Sequence, residues 1–301
     1  MSKIIQCIPN FSEGHRADVV REIADAISSG GATVIDSSLD PDHNRSVITF
    51  IGDPQSMLDS ILSGVRKAVE LIDLRAHLGG HPRIGAVDVI PIVPIRDVTM
   101  DECVDLSREV GRSIAADLGI PVYFYENSAV VGHRRNLAHV RRGGYEALCR
   151  GKLEGDRAPD VGPDTAHPSA GATAVGARGP LIAFNVDLRS GDFALARHIA
   201  AEIRKRRNEG RGMPGVKAIA VNLKSRGIVQ VSTNITQPDR VTMFDVYDFV
   251  KRMAGEAGVE VEGSELIGVV RLDAMAHAAA ECLQLADFNE TRVLDHWIEP
   301  D

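Results

Sequence analysis

The sequence predicts an α/β (α+β) protein made of two units in tandem, each running β-α-β-β-α-β. Three observations carry this expectation. Apolar periodicity alternates between strand and helix patterns over residues 3–95, and the same order of elements returns over residues 181–270. Between them stands a stretch rich in glycine and proline, residues 155–180.

Residues 3–8 read as a short apolar strand ending at Pro9. Ser12 is placed to cap the helix that follows, in which Val19, Val20, Ile23, Ala26 and Ile27 recur at helical spacing. Residues 32–36 and 46–52 are strands. Met57, Leu58, Ile61, Leu62, Val65, Val69 and Ile72 mark a second helix, and residues 86–95 a fourth strand whose Pro91 and Pro94 point to a sheet edge. Helices over 101–118 and 134–148, with a strand at 121–125, fill the interval before the glycine-rich stretch.

In the second unit, residues 181–188 form a strand, and Phe193, Ala196, Ile199, Ala200 and Ile203 mark a helix. Residues 216–223 follow as a strand. In 228–235, Val229, Val231, Thr233 and Ile235 alternate with Gln230, Ser232 and Asn234, the pattern of a half-buried strand. A helix over 241–257 and a strand over 260–270 complete the order. Such an order folds most simply as an antiparallel sheet with both helices on one face, the ferredoxin-like arrangement. The expected domains are residues 1–178 and 179–301.

Composition narrows the function classes. The chain has 301 residues, with 34 Lys+Arg against 42 Asp+Glu and a net charge of −8. That balance argues against a nucleic-acid partner, and 44% hydrophobic residues is an ordinary globular content. No segment reads as a signal peptide or as a membrane span. Cys7, Cys103, Cys149 and Cys282 are scattered, which reads as reduced, buried thiols. A cytoplasmic protein without a membrane partner is expected.

Two segments carry candidate chemistry. In His77-Leu-Gly-Gly-His81-Pro-Arg-Ile-Gly-Ala-Val-Asp88 the two histidines stand four apart, but Gly79, Gly80 and Pro82 oppose the helix that would align them on zinc. No metal site is expected. His81, on a loop entering a strand, is placed as a general base near neutral pH. Asp36-Ser-Ser-Leu-Asp40-Pro-Asp42-His43-Asn44-Arg45 reads as a polar loop between two strands. Turn chemistry explains much of it. A functional reading gives its carboxylates to a cationic centre and Arg45 to a carboxylate. The stretch 155–180 holds five glycines and four prolines, with no Leu, Ile, Met or Phe, and reads as a ligand-binding loop or a linker. The basic runs Arg204-Lys-Arg-Arg207 and His133-Arg-Arg135 fall at helix ends, where positive charge suits the helix dipole.

Six motifs, taken in order, resemble the glutamate formimidoyltransferase family. They are Cys-Ile-Pro-Asn-Phe-Ser-Glu-Gly (7–14), Asn44-Arg45-Ser-Val, Gly80-His81-Pro-Arg-Ile-Gly-Ala-Val-Asp88, Gly176-Ala-Arg178 with Leu181-Ile-Ala-Phe-Asn185, Gln230-Val-Ser-Thr-Asn234 and Gly263-Ser-Glu-Leu-Ile-Gly268. The resemblance implies two subdomains with a folate tunnel between them, assembled as a homodimer. It implies transfer of a formimidoyl group between N-formimidoyl-L-glutamate and tetrahydrofolate, a co-substrate, in histidine degradation.

By the same resemblance His81 is catalytic. Folate falls on Gly162, Pro163, Asp164, Thr165, Ala166, His167, Pro168, Ser169, Ala170 and Gly171. Ala166 and Ala170 stand where vertebrate relatives carry bulky Phe and Trp. Asp36 or Asp40 would then face the cationic amidinium, and Arg45 or Arg178 the glutamate carboxylates. The chain length leaves no room for the cyclodeaminase domain of bifunctional relatives, so the monofunctional form is expected. Formyl transfer on the same scaffold, and a non-catalytic folate- or amino-acid-binding module, are the alternatives the sequence leaves standing.

Overall fold

A seven-stranded mixed sheet forms the body of the first of two units, Met1–Pro180 and Leu181–Asp301. The computed structural model describes residues 3–41, 43–78 and 82–294. The first unit begins with β1 (Ile4–Cys7), β2 (Asn10–Phe11), α1 (Ala17–Ser29), β3 (Thr33–Asp40), β4 (Arg45–Gly52), α2 (Pro54–Leu71) and β5 (Val87–Arg96). β1 and β2 are one run broken at Pro9, and β4 and β5 flank it antiparallel, with β3 outside β4.

One face of this sheet is apolar for a simple reason. Alternate residues Ile5, Cys7, Ile48, Phe50, Ile90 and Ile92 point the same way and are buried against Ile23 and Ile27 of α1 and Met57 and Ile61 of α2. Asp53 caps α2, its Oδ1 accepting from the Gln55 and Ser56 N–H groups at 2.9 and 3.0 Å, with Pro54 in the first turn. Ser12 does not cap α1 as expected. Its hydroxyl donates to Gly85 O (2.7 Å), and the buried Glu13 serves the helix start instead, accepting from the His15 and Arg16 N–H groups at 2.9 Å each.

Two further strands enlarge the sheet: β6 (Val122–Phe124), expected together with the helix before it, α3 (Met100–Leu118), and β7 (Thr173–Ala177), which was not expected. β7 runs parallel to β5, and β6 parallel to β7. The stretch 155–180 is therefore not a plain linker. Its five residues Thr173–Ala177 are wholly buried in the sheet, and they escape a hydrophobicity reading because Ala and Gly are small. Pro91 likewise sits inside the sheet, opposite Gly176, and takes part through its carbonyl, which accepts from the Ile8 N–H (3.2 Å). The expected helix at 134–148 is broken into α4 (Leu137–Val140) and α5 (Gly144–Leu148), because Gly143 and Gly144 hold φ of 85° and 66° between them. Cys149 and Cys282 are exposed, so only Cys7 and Cys103 meet the buried-thiol expectation.

The second unit follows the expected order: β8 (Ile182–Leu188), α6 (Phe193–Asn208), β9 (Val216–Leu223), β10 (Ile228–Ile235), α7 (Met243–Glu256) and β11 (Val261–Ile267). Its strands are all antiparallel in the order β11-β8-β10-β9. Val186, Val229 and Val231 pack on Ile199, Ile203, Val246 and Val250. A capping box of Thr242 and Asp245 starts α7. One more helix, α8 (Leu272–Cys282), was not expected, because its alanines make no large apolar stripe. β9 is an edge strand, and Arg204 and Arg207 of α6 donate to its Ala218 and Val216 carbonyls (2.7 and 3.3 Å).

Candidate active site

The sheet of the first unit has a second face, apolar over β5, β7 and β6, where Val89, Ala174 and Tyr123 pack with Leu148 and Leu153, and polar toward β3 and β4. Register places Asp36 opposite Thr49, Val47 opposite both Ser38 and Asn10, and Asp40 opposite Arg45. Gln6, Ile8, Asn10, Asp36, Ser38 and Asp40 are all half-buried. The supposed loop between residues 36 and 45 is thus a strand down to Asp40 followed by a tight turn.

Asp40 is occupied by that turn. Its carboxylate accepts from the His43 N–H (3.0 Å) and pairs closely with the His43 ring Nδ1. Burial pushes the Asp40 carboxyl up, but the His43 bonds and the charge of Arg45 outweigh it and hold the group below its ordinary range. Asp42 and His81 lie outside the described residues.

Three segments meet at one end of this sheet. Asn44, at φ 49°, ends the turn. Its Oδ1 accepts from the Gly14 N–H (2.8 Å), its Nδ2 donates to Leu78 O (2.7 Å), and its carbonyl accepts from His77 Nε2 (3.0 Å). His77 is buried, and desolvation lowers its pKa; a neutral ring that donates through Nε2 fits this contact. Beyond residue 81, Arg83 reaches back to His77 O (3.0 Å) and to Glu146 (2.9 Å). Asp88 accepts from the Ile84 N–H (2.8 Å) and pairs with Arg141.

The segment 162–171 packs on the same framework. Leu74 N–H donates to Ser169 O (2.8 Å), Ala86 N–H to Ala170 O (2.9 Å), and Tyr145 Oη to Pro168 O (2.6 Å). His167 and Gly171 exchange two backbone bonds of 2.8 Å, and His167 Nδ1 accepts from the Ala170 N–H (3.0 Å). Two glycines make the close approach possible. A Cβ on Gly85 would stand 1.9 Å from Ala172 O, and one on Gly171 2.2 Å from Ile84 O. Asp164 pairs with Lys152 (2.9 Å).

The expected site residues are not all together. Asp40, Arg45 and the 162–171 segment lie toward one end of the sheet, while Arg178 leaves the far end of β7, its N–H bonded to Ile92 O (3.0 Å). Four strand spacings separate β7 from β3, roughly 19 Å at ~4.8 Å each. Burial lowers the Arg178 pKa against the opposing influence of Tyr125 and Glu126. Sequence reasoning missed Asn44 as an anchor and Thr49 as a polar group on the sheet. Thr49 was visible in the alternation Arg45, Val47, Thr49. The Arg141 and Glu146 anchors are long-range pairs and carry no local signal.

Two family models cover nearly the whole chain. One, described as the formiminotransferase domain, N-terminal subdomain, matches residues 4–178, and another, the formiminotransferase domain, matches 183–292. The chain belongs to the formiminotransferase family. It is 45% identical over 290 residues to a glutamate formimidoyltransferase of Streptococcus pyogenes serotype M1, covering 96% of each chain. It is 40% identical to a protein of the same name from Thermoplasma acidophilum, over 98% of this chain and 97% of that one. A formimidoyltransferase-cyclodeaminase of Rattus norvegicus is 41% identical over 93% of this chain, which spans 52% of its length. Membership makes the chain an enzyme, a transferase of one-carbon groups. The motif residues 7–14, 44–47 and 82–88 belong to the segments and strands that meet at one end of the first sheet.

Proposed function

We propose that this enzyme moves the formimidoyl group between N-formimidoyl-L-glutamate and tetrahydrofolate, as a cytoplasmic homodimer acting in histidine degradation. The observation that carries the reading is 45% identity to a protein named for this activity, across both units. Among the described residues, no helix is long and apolar enough to cross a membrane, and no three His, Cys, Asp or Glu side chains gather as metal ligands.

In this reading the folate nitrogen attacks the amidine carbon, a tetrahedral intermediate forms, and the bond to the glutamate nitrogen breaks. The attacking nitrogen loses a proton and the leaving nitrogen gains one. His81 is the group proposed to carry it, as base and then acid. The anchored flanks support this role: Asn44 holds Leu78 O before residue 81, and Arg83 ties the chain after it to His77 and Glu146. Folate is assigned to residues 162–171, whose backbone is fixed against Leu74, Ala86 and Tyr145. Arg45 is the proposed contact for a glutamate carboxylate, with Arg178, at the far end of β7, as the alternative. Holding both substrates in register supplies much of the rate advantage of such a transfer.

The test mixes the protein with tetrahydrofolate and N-formimidoyl-L-glutamate and follows 5-formimidoyltetrahydrofolate by absorbance, with N-formyl-L-glutamate in a parallel arm. His81→Ala is expected to lower turnover about 10²-fold or more while folate affinity stays within about twofold. Turnover in the formyl arm alone would reassign the migrating group. Equal losses of affinity and turnover would make His81 a binding residue.

A further inference from the structure

Two polar atoms on the face of the first sheet turned away from α1 and α2 are buried without a partner among the described residues: Asp36 Oδ2 and Thr49 Oγ1. They belong to residues directly opposite in the β3–β4 ladder, whose Cβ atoms stand about 4.5–5.5 Å apart. Thr49 is 1% exposed, so no bulk water reaches its hydroxyl. A buried unsatisfied hydroxyl or carboxylate oxygen is destabilising, and native structures keep few of them. Asp40, four residues along the same strand, is the opposite case: its carboxylate is engaged by the backbone and ring of His43.

We infer that Asp36 and Thr49, and not Asp40, form the acceptor pair that binds the cationic amidinium of the one-carbon donor. This rests on the formimidoyl-transfer reading above and assigns one side of that site. An amidinium carries its positive charge over two nitrogens, both bearing N–H. One nitrogen donates to Asp36 Oδ2 in a charge-assisted bond, and the other donates to the Thr49 hydroxyl oxygen. Both oxygens lack a competing partner among the described residues, so the bonds need no existing interaction to break. The contact also polarises the carbon between the nitrogens, because the carboxylate sustains the charge on the group under attack.

Calorimetry of N-formimidoyl-L-glutamate and of neutral N-formyl-L-glutamate, without folate, tests the assignment in the wild type and in Asp36→Asn, Thr49→Val and Asp40→Asn. Asp36→Asn is expected to weaken the formimidoyl compound tenfold or more and the formyl compound less than twofold. Thr49→Val should weaken the formimidoyl compound by severalfold, and Asp40→Asn by less than either. A structural defect would weaken both compounds equally and overturn the inference, as would an unchanged Asp36→Asn, which would mean that an ordered water holds the two atoms. If Asp40→Asn shows the larger loss, the carboxylate is the other one. A wild type that neither binds nor turns over the formimidoyl compound overturns the proposed function itself, an outcome distinct from a wild type that is active and insensitive to Asp36.

Discussion

The two sheets place polar residues on the face away from their helices, and they treat them in opposite ways. In the second unit the set is closed. Gln230 Nε2 donates to Asp187 Oδ1 (2.9 Å) and Glu265 Oε2 (3.3 Å), Asn185 Nδ2 donates to the same Glu265 oxygen (3.2 Å), and Arg226 pairs with Asp187 (2.7 Å). In the first unit Asp36 and Thr49 face each other with oxygens that have no partner among the described residues. A satisfied network specifies a fold; an unsatisfied pair is a feature that folding alone gives no reason to keep. The comparison sets polar groups that satisfy one another beside the pair proposed to meet a ligand.

The sharpest way to strain it is to open a closed pair inside the first unit. Asp88 is 2% exposed and neutralises Arg141 while accepting from Ile84 N–H. Asp88→Ala leaves a largely buried guanidinium uncompensated and should lower unfolding free energy by about 3–5 kcal/mol, read from urea denaturation. Next in size is the matched pair across units. Asp187→Ala removes one of the two acceptors of Gln230 and the partner of Arg226 and should destabilise by about 1–3 kcal/mol, whereas Thr49→Val deletes an unsatisfied hydroxyl and should be neutral or stabilising by up to about 1 kcal/mol. If Thr49→Val destabilises as much as Asp187→Ala, the contrast between the faces collapses.

The smallest effect concerns acid. Burial lowers the His77 pKa below its ordinary 6.5, and that of His167 likewise. The folded chain then binds these protons less readily than the unfolded chain. Their contribution to stability is complete above about pH 6.5 and is lost as pH falls below that value toward the folded pKa values. In His77→Gln, which retains a donor for Asn44 O, the drop in urea midpoint between pH 7.5 and 5.5 should be smaller than in the wild type.

Much of this was legible in the residues. The alternation in 228–235 gave β10 its bounds, and the stripe from Met57 to Val69 gave α2, because large apolar side chains report burial directly. β7 was not legible: Thr-Ala-Val-Gly-Ala carries too little apolar mass to stand out, although it occupies an interior position in the sheet. The broken helix at 137–148 was misread because its apolar spacing outweighed Gly143-Gly144. At the site, the hairpin residues and the 162–171 segment could be named from motifs. The distinction between Asp36 and Asp40 could not, since it depends on which carboxylate the turn already uses.

The late position of β7 also governs how the first unit can be assembled. Val89 of β5 pairs with Ala174, 174 − 89 = 85 residues away, whereas the corresponding central pairing in the second unit, Val186 with Val231, spans 231 − 186 = 45. Parallel pairing across a long separation must close a large loop before it gains anything, so it forms slowly. During synthesis β5 and β6 emerge well before their shared neighbour, and each holds an unpaired edge until residues 173–177 arrive. A chain arrested short of Thr173 leaves the edges of β5 and β6 that β7 covers unpaired, the condition under which a strand edge can pair with another chain.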